Sequence, residues 1–308
     1  MYDNRDNQFE YHPLLKGAYE LHVHSSPSAF PRKQTDWELV EEARKAGMKG
    51  LVMKAHEGAT FDRAALIREK IPDMHVYGGL VCNLFTGGLS SHAVDMALRM
   101  GAKMIWMPTI SAHQHAKYFA EHRQERFFNS ETTLDDSQSN LTILTKDHQV
   151  KDEVKRILYL IASYDAILAT GHLSPYEVDI LVEEARSIGV EKILIQHADL
   201  GIARIPMDLQ RKLVNQGCYI EKCYLACGND FNNITIPQMA ESIQSLGADS
   251  CILVTDYGQP HNPTPVQGLN QFIKELLEEG MEEDIVRTMI TTNPESLLFS
   301  EDQGKGGD

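Results

Sequence analysis

Six residues whose side chains could bind a metal or move a proton sit at the ends of apolar runs. They are His22 and His24 in AYELHVHSSPS, Lys54 in LVMKAH, His172 in TGHLS, His197 in IQHAD and Asp256 in VTDYG. Side chains alternate along a strand, so His22 and His24 share a face while Val23 points away. Two imidazoles on one face can converge on one cation, and imidazole suits zinc, iron or manganese. A lone pair of this kind is also what two partly exposed strand-end histidines look like. His172 and His197, taken singly, read equally well as satisfied structural histidines, and Asp256 as a helix cap.

The elements that would carry these residues show a repeated step: a helix, a glycine, a few polar residues, an apolar run, then a polar residue. It recurs in AGMKGLVMKAH, MGAKMIWMPT, IGVEKILIQHAD and LGADSCILVTDYG. Glycine suits the left-handed position after a helix, and a near-continuous apolar run suits a strand buried on both faces of a parallel sheet. Strands are predicted near 19–24, 50–54, 75–81, 103–107, 166–170, 192–196, 218–222 and 251–255. Helices fill the intervals, two of them opened by capping boxes at Thr35/Glu38 and Ser174/Glu177. After the second box, Val178, Leu181, Val182 and Ala185 form an apolar stripe ended by Gly189. Eight strands alternating with helices predict an α/β fold, a (β/α)8 TIM barrel with a long insertion after the fourth strand.

A single barrel then spans 1–300, with 301–308 a disordered tail. Residues 108–150, too long for an ordinary connection, read as a lid over the barrel mouth or as a surface insertion. On such a barrel all six residues fall at C-terminal strand ends, the face on which barrel active sites are built.

The order HxH, Lys, His, His, Asp in LHVH, VMKAH, TGHLS, IQHAD and VTDYG resembles the metal-dependent amidohydrolase superfamily and its phosphotriesterase-like relatives. TTNPESLL, from Thr291 to Leu298, is similar to the Asn-Pro motif late in that superfamily. The resemblance implies that His22, His24 and Asp256 bind one divalent ion, and that His172 and His197 bind a second or contact substrate. Zinc is the metal it implies, with manganese or iron as alternatives, in one or two ions. It further implies a hydrolase of a small amide, lactone, ester or phosphoester. Asp256 would orient and deprotonate water, and His197 would stabilise the oxyanion. One position departs from the pattern: the bridging lysine of the superfamily follows the fourth strand, whereas Lys54 ends the second. Lys54 either bridges metals from an altered place or contacts substrate.

Other readings stay open: a metal-dependent decarboxylase or isomerase on the same barrel, or a metal-binding barrel without catalysis. A phosphoesterase of the polymerase-and-histidinol-phosphatase type also begins with HxH, but Asp256 is followed by Tyr257 and Gly258 rather than the late Asp-x-His. His56, Glu57, Asn83, His113, His115 and Glu221 are further pocket candidates, with Glu221 the reserve ligand. Cys223 and Cys227 read as structural thiols.

Composition bounds the partners. A net charge of -15 opposes nucleic-acid binding, which needs clustered Lys and Arg, and favours a small-molecule substrate. No apolar run approaches the roughly 20 residues that span a bilayer. The opening MYDNRDNQFEYHP lacks signal-peptide features, and the five cysteines are scattered, so a cytoplasmic location is expected. A homo-oligomer is compatible with all of this.

Overall fold

A computed structural model describes residues 10–122 and 140–299. It contains eight strands: β1 (Tyr19–Val23), β2 (Gly50–Met53), β3 (His75–Val81), β4 (Met104–Trp106), β5 (Ile167–Ala169), β6 (Ile193–Ile195), β7 (Tyr219–Cys223) and β8 (Cys251–Val254). They pair in sequence order, each neighbour parallel. Past the strand ends, Asp256 N donates to His22 O (3.0 Å) and His24 N donates to Tyr257 O (2.9 Å), so the end of β8 meets β1. The structure is the (β/α)8 barrel that the repeated helix-to-strand step predicts, with every strand bound within one residue of its expected place.

The helices are α1 (Asp36–Lys45), α2 (Phe61–Lys70), α3 (Ser91–Arg99), α4 (His113–His122), α5 (Asp152–Ser163), α6 (Pro175–Ile188), α7 (Met207–Asn215), α8 (Ile236–Leu246), α9 (Pro265–Glu278), α10 (Glu283–Arg287) and α11 (Asn293–Leu298). Both expected capping boxes form, at Thr35/Glu38 and Ser174/Glu177. Two more, with glutamine in place of glutamate, open α8 at Thr235/Gln238 and α9 at Thr264/Gln267. Each such cap contributes about 1 kcal/mol by satisfying amides at the helix start. The stripe Val178, Leu181, Val182 and Ala185 is buried, and Gly189 ends α6 at φ 99°.

Strand residues alternate between two packing layers. Leu21, Val52, Val81, Trp106, Leu194 and Ile252 belong to one buried cluster drawn from strands around the whole barrel, which fills its interior. Val23, Leu51, Ile105, Leu168, Ile195 and Leu253 face outward and pack with the helices. This double burial explains why the strands read as continuous apolar runs.

The insertion expected at 108–150 carries α4 near its start; a bridge at Ala112↔Leu141 ties its two ends together, and one at Leu144↔Val150 closes a turn within its late part. Its middle, 123–139, and the tail at 301–308 lie outside the described residues. Among the described residues no helix is long and apolar enough to cross a membrane.

Candidate metal centre

Strand β1 and the β8 loop supply the centre. His22 and His24 are buried, and the Nε2 atoms of both lie 3.0 Å from the same oxygen, Asp256 Oδ1. The pairing of β1 with β2 shifts register between Glu20 and Val23, yet the two rings still converge as alternation predicts. The β8 loop can reach them because Gly258 adopts φ 151°, and a Cβ there would stand 2.2 Å from His24 O. Gly171 does the same beside His172: at φ 61° it lets the β5 loop lie against the carbonyls of Met107 and Pro108.

Glu221, buried on β7, holds the far side of His22. Its Oε2 accepts from His22 Nδ1 (3.0 Å) and from Gln196 Nε2 (3.0 Å), while Oε1 accepts from the backbone amide of His197 (3.2 Å). A carboxylate on one ring nitrogen fixes the orientation of the other, and here that other nitrogen, Nε2, faces Asp256. Glu20 braces the same corner from β1, accepting from the amides of His22 (3.0 Å) and Thr255 (2.9 Å).

Among the described residues three groups of donor atoms lie close enough to hold an ion, within 4.8 Å of one another: His22, His24 and Asp256; His22, His197 and Glu221; His197, Cys223 and Asp256. His197 is fully buried, yet neither ring nitrogen has a hydrogen-bond partner. Burial of unpartnered polar atoms is costly, and a ring with two idle nitrogens beside two carboxylates fits a ligand waiting for a cation. His197 and Asp256 also hold left-handed backbone, at φ 55° and 57°. Such conformations cost on the order of 1–3 kcal/mol for residues other than glycine and gather at functional sites.

The electrostatics agree with this assignment. Burial opposes a charge on His22, but the flanking Asp256 and Glu221 outweigh it and raise its pKa to about 9. The same pairing works in reverse on the acids: burial opposes their ionisation, and the histidines still hold Glu221 at about 2 and Asp256 well below the carboxylate range. A proton on His22 therefore stands where two carboxylates ask for positive charge, and metal binding expels such protons. Burial keeps His24 and His197 neutral, at about 3 and about 4.

The remaining expected residues take different places. Lys54 is buried, with Nζ 2.9 Å from His22 Nε2 and over the Trp106 ring, and burial lowers its pKa. His172 joins none of the three donor groups; its Nδ1 lies 2.8 Å from His115 Nδ1, and its ring packs 4.9 Å from that of His197. Asn83 is a structural hub, donating to His56 O and Thr109 Oγ1 and accepting from the amides of Thr109 and Ser111. The cysteines are all free thiols. The Asn-Pro motif anchors rather than reacts: Asn293 Nδ2 donates to the carbonyls of Ala248 and Cys251, both at 2.7 Å, where β8 begins.

Above the centre opens a cavity of about 300 Å³. His24, His56, His172 and Asp256 form its floor, and His115 and Phe119 of α4 contribute to the wall. The segment after β4 thus contributes directly to the pocket. Sequence reasoning missed Arg32, which also lines it, and Lys222, whose Nζ is buried against Asp199 (2.8 Å), Ser242 (2.7 Å) and Gln210 (3.2 Å). Arg32 lay outside any strand-end pattern, whereas an alternating polar residue in the β7 run was the one available sign of Lys222.

In fold the chain is similar to phosphotriesterase-like amidohydrolases and lactonases, the superfamily its motifs resemble. An amidohydrolase from Pseudomonas aeruginosa matches at TM-score 0.59 and 14% identity, over 92% of this chain and 97% of that one. A phosphotriesterase homology protein from Escherichia coli, with phosphate in its active site, matches at 0.59 and 12%, over 92% and 100%. A lactonase from Listeria monocytogenes matches at 0.58 and 13%, over 92% and 96%. No curated protein matches by sequence. The chain belongs to DUF6282, a family of unknown function whose model matches residues 17–221.

Proposed function

We propose that this protein is a metal-dependent hydrolase of a small molecule carrying an amide, lactone, ester or phosphoester. The observation that carries the reading is the convergence of His22, His24 and Asp256 beside a buried His197 whose ring nitrogens are idle. His22, His24 and Asp256 would hold the ion, zinc by preference, with Glu221 keeping His22 in register. A bound divalent ion supplies a water acidified to a pKa of about 7 and polarises the substrate oxygen. Asp256 commits Oδ1 to the two histidines, which leaves Oδ2 to take the water's proton and pass it to the leaving group. His197, neutral and unpartnered, donates a hydrogen bond to the developing oxyanion, and Lys54 adds positive charge beside it. His115 and Phe119 of α4 narrow the cavity above the centre.

Metal analysis of the purified protein tests this first. Wild type should carry one or two divalent ions per chain, and His22→Ala and Asp256→Asn should lose most of them. Turnover of a panel of lactones, cyclic amides and phosphoesters in ¹⁸O-labelled water should place the label in the product. Wild-type protein without bound metal, or turnover that leaves the label in solvent, contradicts the hydrolase.

A further inference from the structure

Arg32 is the single lysine or arginine that lines the cavity among the described residues. Its guanidinium touches only weak partners there: Nε donates to Ser28 Oγ (3.3 Å), one terminal nitrogen lies 3.4 Å from His24 Nδ1, and the group sits 5.7 Å from the Phe30 ring centre. No carboxylate among the described residues lies within 4.0 Å of it. The two carboxylates whose charge acts most on it make their hydrogen bonds to other groups: Glu57 Oε1 accepts from Ser28 Oγ (2.5 Å) and Ala29 N (2.8 Å), its Oε2 making none, and Asp256 Oδ1 faces the two histidines. Asp230, across the cavity, is held by His261 (2.9 Å) and Asn262 (3.3 Å).

We infer that Arg32 anchors a carboxylate of the substrate, which makes the substrate class a small carboxylic acid with an apolar body and a hydrolysable bond placed over His24 and Asp256. A guanidinium presents parallel N–H donors that match a planar carboxylate, and in a chain of net charge -15 an anion needs such a local cation. A phosphate monoester carries up to two negative charges where one arginine balances one, and a planar carboxylate matches the paired donors of a guanidinium; competition by inorganic phosphate separates the two. The body of the ligand meets Phe30, Phe119, Leu200, Ile202, Leu225 and Phe231, and a cavity of about 300 Å³ lies at the small end of ligand pockets. Arg32 contacts His24, so the acid group sits next to the reacting centre rather than at the far rim.

The inference rests on the hydrolase reading for the reacting bond, but its test does not. Calorimetric titration with benzoate and pentanoate, against benzamide and pentanamide, would be run on wild type, Arg32→Gln and Arg32→Lys, each with its metal content measured. The carboxylates should bind wild type, weaken about tenfold or more in Arg32→Gln, and recover only part of that loss in Arg32→Lys, which restores the charge but not the paired donors. The amides should bind wild type and Arg32→Gln alike, which also shows the pocket is intact. Carboxylate binding unchanged by Arg32→Gln overturns the inference, as does no carboxylate binding to wild type, or equal weakening of the amides. Inorganic phosphate that outcompetes benzoate through Arg32 also overturns it and makes the ligand a phosphoryl compound. A wild-type protein that holds no metal yet shows the Arg32-dependent preference sinks the hydrolase and leaves the carboxylate anchor standing.

Discussion

The sharpest single perturbation of the centre is Glu221→Gln, which keeps shape and removes charge. Glu221 accepts three hydrogen bonds, from His22 Nδ1, Gln196 Nε2 and the His197 amide, at 3.0, 3.0 and 3.2 Å. A glutamine has one oxygen and one NH2 in their place. If its oxygen keeps His22 and Gln196, the NH2 meets the His197 amide donor to donor; the opposite orientation strands the other two. One buried donor at least is orphaned, a cost of about 1–3 kcal/mol in stability. The effect on the metal is larger in kind: His22 exchanges a carboxylate for, at best, a neutral amide oxygen, and such outer partners are worth about 10–100-fold in metal affinity. That corresponds to about 1.4–2.8 kcal/mol. Competition for zinc against a chromophoric chelator at fixed neutral pH measures it directly, with urea unfolding of the metal-free proteins reporting the stability part separately. An affinity within twofold of wild type would refute the view that Glu221 positions His22 for an ion.

Two more substitutions probe the scaffold. Lys222→Met strands the buried carboxylate of Asp199 and should cost about 3–5 kcal/mol by urea unfolding, most of it regained when Asp199→Leu is added; a double variant as unstable as the single one contradicts the pairing. Gly258→Ala forces a Cβ to within 2.2 Å of His24 O, and should cost at least about 1–3 kcal/mol while lowering bound metal; unchanged metal content and melting temperature would show that the β8 loop has room to spare.

The barrel was legible because its strands must be buried on both faces, which writes them as apolar runs, and because Gly47, Gly101, Gly189, Gly217 and Gly247 mark five of the returns from helix to strand. His22, His24 and Asp256 were legible for a related reason: a ligating residue ending such a run has few other places to point. What stayed hidden depends on neighbours distant in sequence. Glu221 could be named as a carboxylate at a strand end, but its hold on His22, 199 positions away, needs the closed ring. His172 carried the right type and place, yet its Nδ1 meets His115 of α4, a helix within a segment that sequence pattern left shapeless. Arg32 sits in a loop with no periodicity, and only the fold places its guanidinium in the cavity beside His24. Asn293 was marked by its motif, and the two carbonyls it secures show that the mark was architectural.

The contact between His24 and Asp256 joins residues 232 positions apart, at the point where the last strand comes round to the first. Assembly of the centre and completion of the ring are therefore one event. A nascent chain that has emerged only as far as β7 owns both histidines and Glu221 but not Asp256, the carboxylate the two histidines share, and long-range closure of this kind is the slow part of folding. An ion bound by both ends would act as a clasp on the finished ring, so that slippage of the last strand and loss of metal should occur together.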